Sequence, residues 1–306
     1  MKSFYAPGKI LLCGEYAVTI GVEALAVPVS LGQWMHVWEF DSPGGQPRIL
    51  WEAKDVAGVT WLNESFSLPL EAMGTEERDE RKTINQLLAL APASTWKQGK
   101  SYRIETQLEF DRSSGLGSSS TMVSNFARFA HLDAQWIQQQ LFGGSGYDVA
   151  IADVGKGLVF WKDEEENHWG PWSISADLTR NWKVVFLGEK QNSRTSLAQV
   201  NERLQDIQTD EFMFHQLQQV AGAVKMAQQV SMVEAGLEMW QALLSMGLGL
   251  STPYQHFGLQ PVKGGLCKWL GAWGGDMLLV NETFAASQAE WLEKYQTTPW
   301  NQLVKQ

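Results

Sequence analysis

Hydrophobic and polar positions along the chain follow strand-like and helix-like patterns in turn, which predicts a fold that mixes α and β structure. A mostly apolar run at residues 9–14 predicts a buried strand, and residues 24–29 and 33–40 predict two more, separated by Gly, Pro and Ser. Residues 102–110 alternate in the manner of a strand, and residues 118–131 have the apolar spacing of a helix. The N-terminal part is therefore expected to be rich in strands.

The second half of the chain reads differently, because long helical patterns dominate it. Residues 182–188 predict a strand that opens this half, and residues 277–280 predict a late strand before a last helix at 283–295. The long helices predicted between these strands cover residues 196–208, 211–229 and 232–246. We therefore expect a domain boundary near residue 180, with domains at residues 1–180 and 181–306.

Composition places the chain among ordinary globular proteins and excludes a disordered scaffold. The 306 residues are 44% hydrophobic and 19% charged. With 24 basic and 34 acidic side chains the net charge is −10, and no local cluster of Lys or Arg offsets it. Nucleic acid and anionic membrane are therefore not expected partners. A phosphate ligand would need backbone N–H groups, a metal ion and a few placed cations.

Targeting and cysteine signals are weak. Two cysteines are too few for a disulfide framework, and the first residues lack the apolar region of a signal peptide. No apolar run approaches the 18 residues that a membrane span needs. We therefore expect a cytoplasmic protein.

A glycine- and serine-rich loop is the first candidate functional element. It comprises Gly115, Leu116, Gly117, Ser118, Ser119 and Ser120, between a predicted strand and a predicted helix. Glycines let a ligand approach the backbone, and the N–H groups and dipole of a helix N-terminus favour an anion. Such a loop is also a common way to begin a helix, so alone it leaves phosphate binding and simple capping open.

Three separate sequence motifs follow one another along the chain. They are residues 7–16 together with 26–28, the loop at 115–120, and the late glycine run at 271–275. No G-x-x-x-x-G-K-[ST] sequence, dinucleotide fingerprint or protein-kinase motif set is present. The three motifs resemble those of the GHMP kinases, the superfamily of small-molecule kinases that includes galactokinase and the homoserine, mevalonate and phosphomevalonate kinases.

The resemblance extends to the stretches between these motifs. Residues 145–150, which contain Gly-Tyr-Asp, resemble the catalytic-aspartate segment of mevalonate and phosphomevalonate kinases and a bacterial subgroup named after a GYDIA sequence. Gln140, eight residues before Asp148, and the Gly-Ser-Gly at 144–146 are closer to the phosphomevalonate kinase pattern. Residues 193–196 resemble the Ser-Thr turn of the same enzymes.

The resemblance implies a two-domain α+β fold, with an N-terminal domain like domain 2 of ribosomal protein S5 and a ferredoxin-like C-terminal domain. It implies ATP and Mg²⁺ as cofactors, with Lys9 and Asp148 as catalytic residues. The loop at 115–120 would hold the ATP phosphates, and Ser119 would also contact the metal. The residues that it assigns to substrate binding are Glu15, Ser145, Tyr147, Ser193, Thr195, Gly271 and Gly274.

These assignments fit the chemistry of phosphoryl transfer, which needs mainly positioning and charge neutralisation. Asp148 could orient or deprotonate an alcohol acceptor, whereas an acceptor that is already a phosphate needs no base and would depend more on Lys9. Singly, Lys9 is as well explained as a solvated lysine and Asp148 as a helix cap; their ordered occurrence favours the enzyme.

Two departures from the family pattern keep alternatives open. Residues 133–140 contain no glutamate, so the carboxylate that such kinases supply to Mg²⁺ is unassigned, and the second motif begins with Asp111 in place of the usual proline. Phosphomevalonate or mevalonate is the expected acceptor. One alternative is a kinase of this superfamily whose acceptor is a sugar or a homoserine-like alcohol. The other is a catalytically weak protein of the same fold that binds a metabolite. A small molecule is the expected partner, and a homodimer is one assembly that we consider.

Overall fold

The structure is a computed structural model that describes residues 1–43, 45–71, 78–163, 166–188, 193–271 and 273–305, except for the side chains of residues 193–195. Strands and helices alternate in it, and the predicted α+β class is confirmed. The chain forms two compact units. Unit 1 comprises Met1–Gly8, Leu31–Arg112 and Gly117–Val154, and unit 2 comprises Lys9–Ser30, Ser113–Leu116 and Gly155–Gln306. The domain division at residue 180 remains a prediction.

Strands β1 and β2 contribute residues to both units. β1 is Lys2–Cys13 and β2 is Ala24–Asp41, and the two strands pair with each other. The sequence predicts two strands where β2 runs continuously, because Ser30 and Gly32 lie within extended backbone and do not end the strand. The pattern of Gly, Pro and Ser therefore overstated the break.

Unit 1 is a twisted sheet covered by helices. The strands run in the order β4 (Thr60–Ser67), β3 (Arg48–Lys54), β5 (Lys100–Leu108) and β2, with β3 parallel to β5 and the other pairs antiparallel. Alternate residues of β3 and β5 are buried, which gives each strand one face toward the core. Trp51, Ile104, Phe126 and Ile137 belong to that core. The helices of this unit are α1 (Asp79–Leu90), α2 (Ser118–Ala130), α3 (Ala134–Leu141) and α4 (Tyr147–Val154).

Unit 2 contains β6 (Leu158–Lys162) and β7 (Asn167–Pro171), and in it β6 pairs with residues 24–26 of β2. Its second sheet is antiparallel, in the order β11-β8-β10-β9. These strands are β8 (Trp182–Phe186), β9 (Cys267–Leu270), β10 (Met277–Asn281) and β11 (Gln296–Pro299). Trp182, Trp240, Trp269 and Trp300 are fully buried in this unit, so tryptophan supplies much of its core volume.

Unit 2 has eight α-helices among the described residues. They are α5 (Ala176–Thr179), α6 (Ser193–Thr209), α7 (Glu211–Met226), α8 (Val230–Leu248), α9 (Pro253–Phe257), α10 (Glu282–Ser287), α11 (Ala289–Leu292) and α12 (Trp300–Leu303). Three of them, α6, α7 and α8, match the predicted long helical patterns. The single last helix predicted at 283–295 is wrong, because α10 ends at Ser287 and α11 begins after Gln288, which has a non-helical backbone. Among the described residues no helix has the length and apolarity required to cross a bilayer.

Candidate active site

Lys9 fixes the first half of the glycine-serine loop (residues 115–120). It lies in the buried second half of β1, and only 7% of its surface is exposed. Its backbone N–H donates to the carbonyl oxygen of Leu116 at 2.9 Å, and its Nζ donates to that of Gly115 at 3.0 Å. A buried cation is therefore held beside the loop by the strand that carries it.

Asp276 packs against the same loop and was missed by the sequence reasoning. It is buried, and a Cβ added at Gly115 would lie 2.6 Å from its Oδ2 and 2.7 Å from its Cβ. Gly115 also has a φ of +71°, which disfavours any side chain. A Cβ at Gly271 would lie 3.5 Å from the same carboxylate oxygen, so Asp276 contacts two of the predicted loops. Its signal in the sequence is an acidic residue that directly follows the glycine run 271–275.

Helix α2 begins without a side-chain cap among the residues that the structure describes. Gly117 occupies the cap position with a φ of +96° and, as a glycine, supplies no side-chain cap to the first amides of α2. Ser118 is half-buried and Ser119 is exposed, whereas the hydroxyl of buried Ser120 donates to the Gly117 carbonyl at 2.9 Å. An uncapped helix N-terminus beside glycines fits the phosphates of a nucleotide. Ser120 would contribute its backbone N–H.

A protein-held magnesium ion has less support than the nucleotide. Ser119 has an exposed hydroxyl that could reach a metal ion. No group of three or more His, Cys, Asp or Glu side chains that could hold a metal occurs in the described part of the chain. Mg²⁺ commonly keeps several waters and is bound by substrate phosphates with one or two protein ligands. Ser119 together with nucleotide phosphates is consistent with that pattern.

The loop before Asp148 is held by the glutamine-rich helix α3. Three glutamine side chains each donate one hydrogen bond to a glycine carbonyl of this loop, at 2.9 to 3.0 Å. The pairs are Gln135 with Gly146, Gln138 with Gly143 and Gln139 with Gly144. All three glycines have positive φ angles, between +65° and +86°. The stretch in which a metal-binding glutamate was sought thus supplies amide donors that shape the loop.

Asp148 lies in the first turn of α4. Its Oδ1 accepts a hydrogen bond from the Val149 N–H at 3.0 Å, and its side chain is half-buried. Ser145 is buried and Tyr147 is half-buried in the same segment. At the other end of α4, Arg128 donates to the carbonyl oxygens of Ala152 and Asp153, which closes the helix. Asp148 is therefore held at a defined place within unit 1.

Glu15 has partners that the resemblance did not suggest. Only 1% of its surface is exposed; one carboxylate oxygen accepts from Lys268 Nζ and the other from Trp240 Nε1 at 2.7 Å. Lys268 also donates to the Trp269 carbonyl at 2.8 Å. The predicted contact of Glu15 with substrate stays a prediction. Glu15 ties the end of β1 to α8 and β9.

Tyr16 connects several predicted motifs within unit 2. Its hydroxyl accepts a hydrogen bond from the Trp273 N–H at 3.0 Å and is also hydrogen-bonded to the Ser196 side chain. Burial raises the pKa of Tyr16, so it stays protonated at neutral pH. Its φ of +57° is unusual for a residue other than glycine and indicates local strain. Sequence patterns carry no signal of such an angle.

The third glycine loop (271–275) and the start of α6 are described in part. Gly271 and Gly274 have positive φ angles of +79° and +92°. Ala272 lies outside the described residues. Ser193 and Thr195 belong to the first turn of α6, and their side chains lie outside the described part. Unit 2 thus brings together Lys9, Gly115, Leu116 and Gly271, while residues 117–120, Ser145, Tyr147 and Asp148 belong to unit 1.

Comparisons with known proteins agree on the fold. No family model matches the chain. A mevalonate kinase from Thermococcus gammatolerans is 28% identical over 151 residues, 48% of this chain, and the chain spans 43% of that relative's length. The structure of Streptococcus pneumoniae phosphomevalonate kinase with phosphomevalonate and AMPPNP is similar, with a TM-score of 0.68 and 16% identity, over 96% of this chain and 95% of that one.

A sugar kinase has a similar structure. Lactococcus lactis galactokinase in complex with galactose gives a TM-score of 0.62 at 13% identity, over 97% of this chain and 92% of that one. At such identities the likeness concerns the fold and leaves the acceptor open. The predicted resemblance is therefore confirmed for the fold: the chain has the two-domain α+β fold of the GHMP kinases.

Proposed function

We propose that the protein is an ATP-dependent small-molecule kinase that transfers the γ-phosphoryl group to a mevalonate-pathway acceptor, phosphomevalonate or mevalonate. The observation that carries this proposal is the buried Lys9, whose Nζ lies 3.0 Å from the Gly115 carbonyl in the loop that leads into the uncapped α2. A cation, a glycine loop and a helix N-terminus together are suited to a polyphosphate.

Each part has a distinct role in this proposal. The backbone of residues 115–120 and the hydroxyls of Ser118 and Ser119 bind the phosphates, and Lys9 neutralises charge on the transferring group. Bound ATP supplies the phosphoryl group, and bound Mg²⁺ neutralises part of the phosphate charge. Asp276 keeps the loop in place by filling the space against Gly115. Glu15 and Tyr16 position the residues that follow β1.

Asp148 serves the acceptor in this proposal. Its Oδ1 accepts from the Val149 N–H, which fixes the carboxylate at the start of α4. The other oxygen can accept the proton of an acceptor hydroxyl as the hydroxyl attacks. With phosphomevalonate the acceptor is already ionised, so Asp148 would mainly orient it, and Lys9 would matter more. Ser145 and Tyr147 are proposed to contact the acceptor, and Ser193, Thr195, Gly271 and Gly274 to complete its surroundings.

Two kinds of observation favour a mevalonate-pathway acceptor. The Gly-Tyr-Asp segment and the likeness to a mevalonate kinase and a phosphomevalonate kinase favour a mevalonate-pathway acid. The likeness to galactokinase keeps a sugar as an alternative, and a homoserine-like alcohol is another. A catalytically weak metabolite-binding protein is favoured only by the lack of a carboxylate cluster for a metal among the described residues.

The test follows ATP consumption by the purified protein with Mg²⁺ and a panel of acceptors. The panel contains mevalonate, phosphomevalonate, homoserine and common sugars. Lys9→Met and Asp148→Asn are measured alongside; the asparagine keeps an oxygen that can accept from Val149. Lys263→Met and Asp177→Asn, at exposed positions, are the matched controls. We expect one mevalonate-type acceptor to turn over and each site variant to lose about 10²-fold or more in kcat.

The outcomes separate the hypotheses. Turnover of a sugar or homoserine with the same losses would keep the kinase and replace the acceptor. ATP binding without turnover of any acceptor would favour the metabolite-binding alternative. Full activity in Lys9→Met and Asp148→Asn would contradict the proposed site. The domains at 1–180 and 181–306, and a cytoplasmic location, are further parts of the proposal.

A further inference from the structure

Helix α8 carries a second apolar stripe on its exposed side. Met232, Ala235, Met239, Ala242 and Met246 are all exposed and follow one another at alternating steps of three and four residues. The three methionines are 56%, 53% and 67% exposed. We call these five residues the α8 seam. This spacing is that of the a and d positions of a heptad, which pack helix against helix.

The α8 seam is separate from the side of α8 that packs in its own unit. Val233, Leu237, Trp240 and Leu244 are fully buried on that other side. A helix at the surface of a globular unit ordinarily has polar and charged residues opposite its buried stripe. α8 therefore has more apolar surface than its own unit covers. Met226, at the end of α7, is also 72% exposed.

Charged side chains are depleted around the seam. Between Glu211 and Lys263 the sequence has three charged residues, Lys225, Glu234 and Glu238, although 19% of the whole chain is charged. Depletion of charge is the compositional mark of an interface core, where methionine is enriched. Residues 212–262, which include all of α8 and all of α7 except Glu211, carry a formal charge of −1 and are thus close to neutral on a chain of net charge −10.

The three charged residues have partners inside unit 2. Lys225 Nζ donates to Glu23 Oε1 at 2.7 Å. Glu234 accepts from Trp182 Nε1 at 2.9 Å, and Glu238 accepts from the Cys267 N–H at 3.0 Å. Their charges are therefore used within the unit and do not guide a charged partner to the seam.

We propose that the α8 seam is the interface with a second copy of this chain, formed by two α8 helices across a two-fold axis. Two copies that each carry −10 repel one another through most of their surfaces, and this neutral face is where contact is least opposed. The seam is also complementary to itself, because methionine side chains of one helix can fill the spaces above the alanines of the other. Such self-complementarity is what a two-fold interface requires.

Other occupants fit the seam less well. A membrane-surface helix ordinarily carries Lys and Arg on its polar face, and the exposed residues of α8 carry no positive charge. A charged protein partner would find no charge to pair with. The face of α7 and α8 is about 25 by 20 Å, so a dimer would bury about 1,000 Å² in total, near the lower limit of specific interfaces. The dimer should therefore depend on protein concentration.

The test is sedimentation velocity of the full chain over a wide concentration range, with charged variants at the middle of the seam. Met239 is the central residue, so it lies near Met239 of the second copy whichever way the helices run. Met239→Glu and Met239→Lys are each measured alone and then mixed. Val59→Glu and Val59→Lys are the matched controls, since Val59 is 60% exposed and lies just before β4.

We expect the wild-type mass to rise from 34.3 kDa toward twice that value with concentration. Each Met239 variant alone should weaken the association at least about tenfold. The mixture should restore it, because unlike charges then meet, and both Val59 variants should behave as wild type. Unchanged urea midpoints would show that the variants are folded; Met239 is exposed, so this is expected.

Three results would overturn the proposal. They are a wild-type chain that keeps a mass of 34.3 kDa at every concentration, single Met239 variants that associate like wild type, and a monomeric chain that floats with vesicles of neutral and anionic phospholipid. The last would assign the seam to a lipid surface. The inference does not depend on the proposed kinase activity.

Discussion

At the scale of single residues, the candidate site depends on a position where only glycine fits. Gly115 has a φ of +71°, and a Cβ there would lie 2.6 Å from Asp276 Oδ2. Backbone angle and packing impose the same choice, so the glycine would be required even without a ligand. Its sequence neighbour Leu116 is buried and accepts the Lys9 N–H, which anchors the loop on both sides.

Gly115→Ala should lower the free energy of unfolding by about 2–4 kcal/mol, because it adds both a strained angle and a clash with Asp276. Gly264→Ala is the control, since Gly264 has a φ of +73° but a Cβ there would meet no described heavy atom within 4 Å. It should cost only about 1 kcal/mol. Urea unfolding measures both. Equal losses would show that the contact with Asp276 does not matter.

Glu238 should give the protein a pH-dependent stability. Burial, only partly offset by the Cys267 N–H and the Tyr254 hydroxyl, raises the pKa of Glu238 above its ordinary value of 4.5. The folded state then holds a proton that the unfolded chain releases. The stabilisation is present at low pH and is lost as pH rises from 4.5 through the raised value.

We therefore expect the Glu238→Gln variant to have a larger free energy of unfolding than wild type at neutral pH. The difference between the two free energies should shrink as the pH is lowered toward 4.5. The glutamine oxygen can accept the same two hydrogen bonds. Urea midpoints across this pH range measure the effect, and Glu290→Gln, at an exposed position on α11, is the control. A constant difference at all pH values would contradict the assignment.

At the scale of secondary-structure elements, α3 acts as a scaffold for the loop before Asp148. Three of its glutamines hold successive glycine carbonyls, which compensates for the freedom that those glycines would otherwise allow. The sequence has a glutamine-rich stretch before a glycine-rich loop, but no helix was predicted there and no pairing of the two could be inferred. Such hydrogen bonds depend on how the helix packs, and no periodicity encodes that.

Gln138→Met should reduce kcat by about tenfold while the KM for ATP changes little, because a small displacement of a positioned group is costly in rate. Gln138 is buried and donates to the Gly143 carbonyl at 2.9 Å, so methionine keeps the volume and removes the donor. Gln140→Met, at an exposed position of the same helix, is the control. Steady-state kinetics with the acceptor found by the panel measures both. An unchanged kcat would refute the scaffold role.

At the scale of the whole molecule, sequence patterns predicted the fold class and most long elements. α2 begins at Ser118 as expected, and β8 and β10 lie within or overlap the predicted ranges. These elements have strong local periodicity, so tertiary contacts did not change them. The buried Asp276, the strained Tyr16 and the Glu15–Lys268 pair were not predicted, because each depends on residues far apart in the sequence.

The Glu15–Lys268 pair also has a consequence for synthesis of the chain. The two residues are 253 positions apart, and Trp240, the other partner of Glu15, is 225 positions away. At a synthesis rate of 5–20 residues per second, Lys268 is added to the chain about 13 to 50 s after Glu15. The ion pair with Lys268 cannot form during that time, although β1 can already pair with β2. Unit 2 is therefore completed only near the end of translation, and until then the nascent chain carries a glutamate, at the end of an apolar strand, without its native lysine.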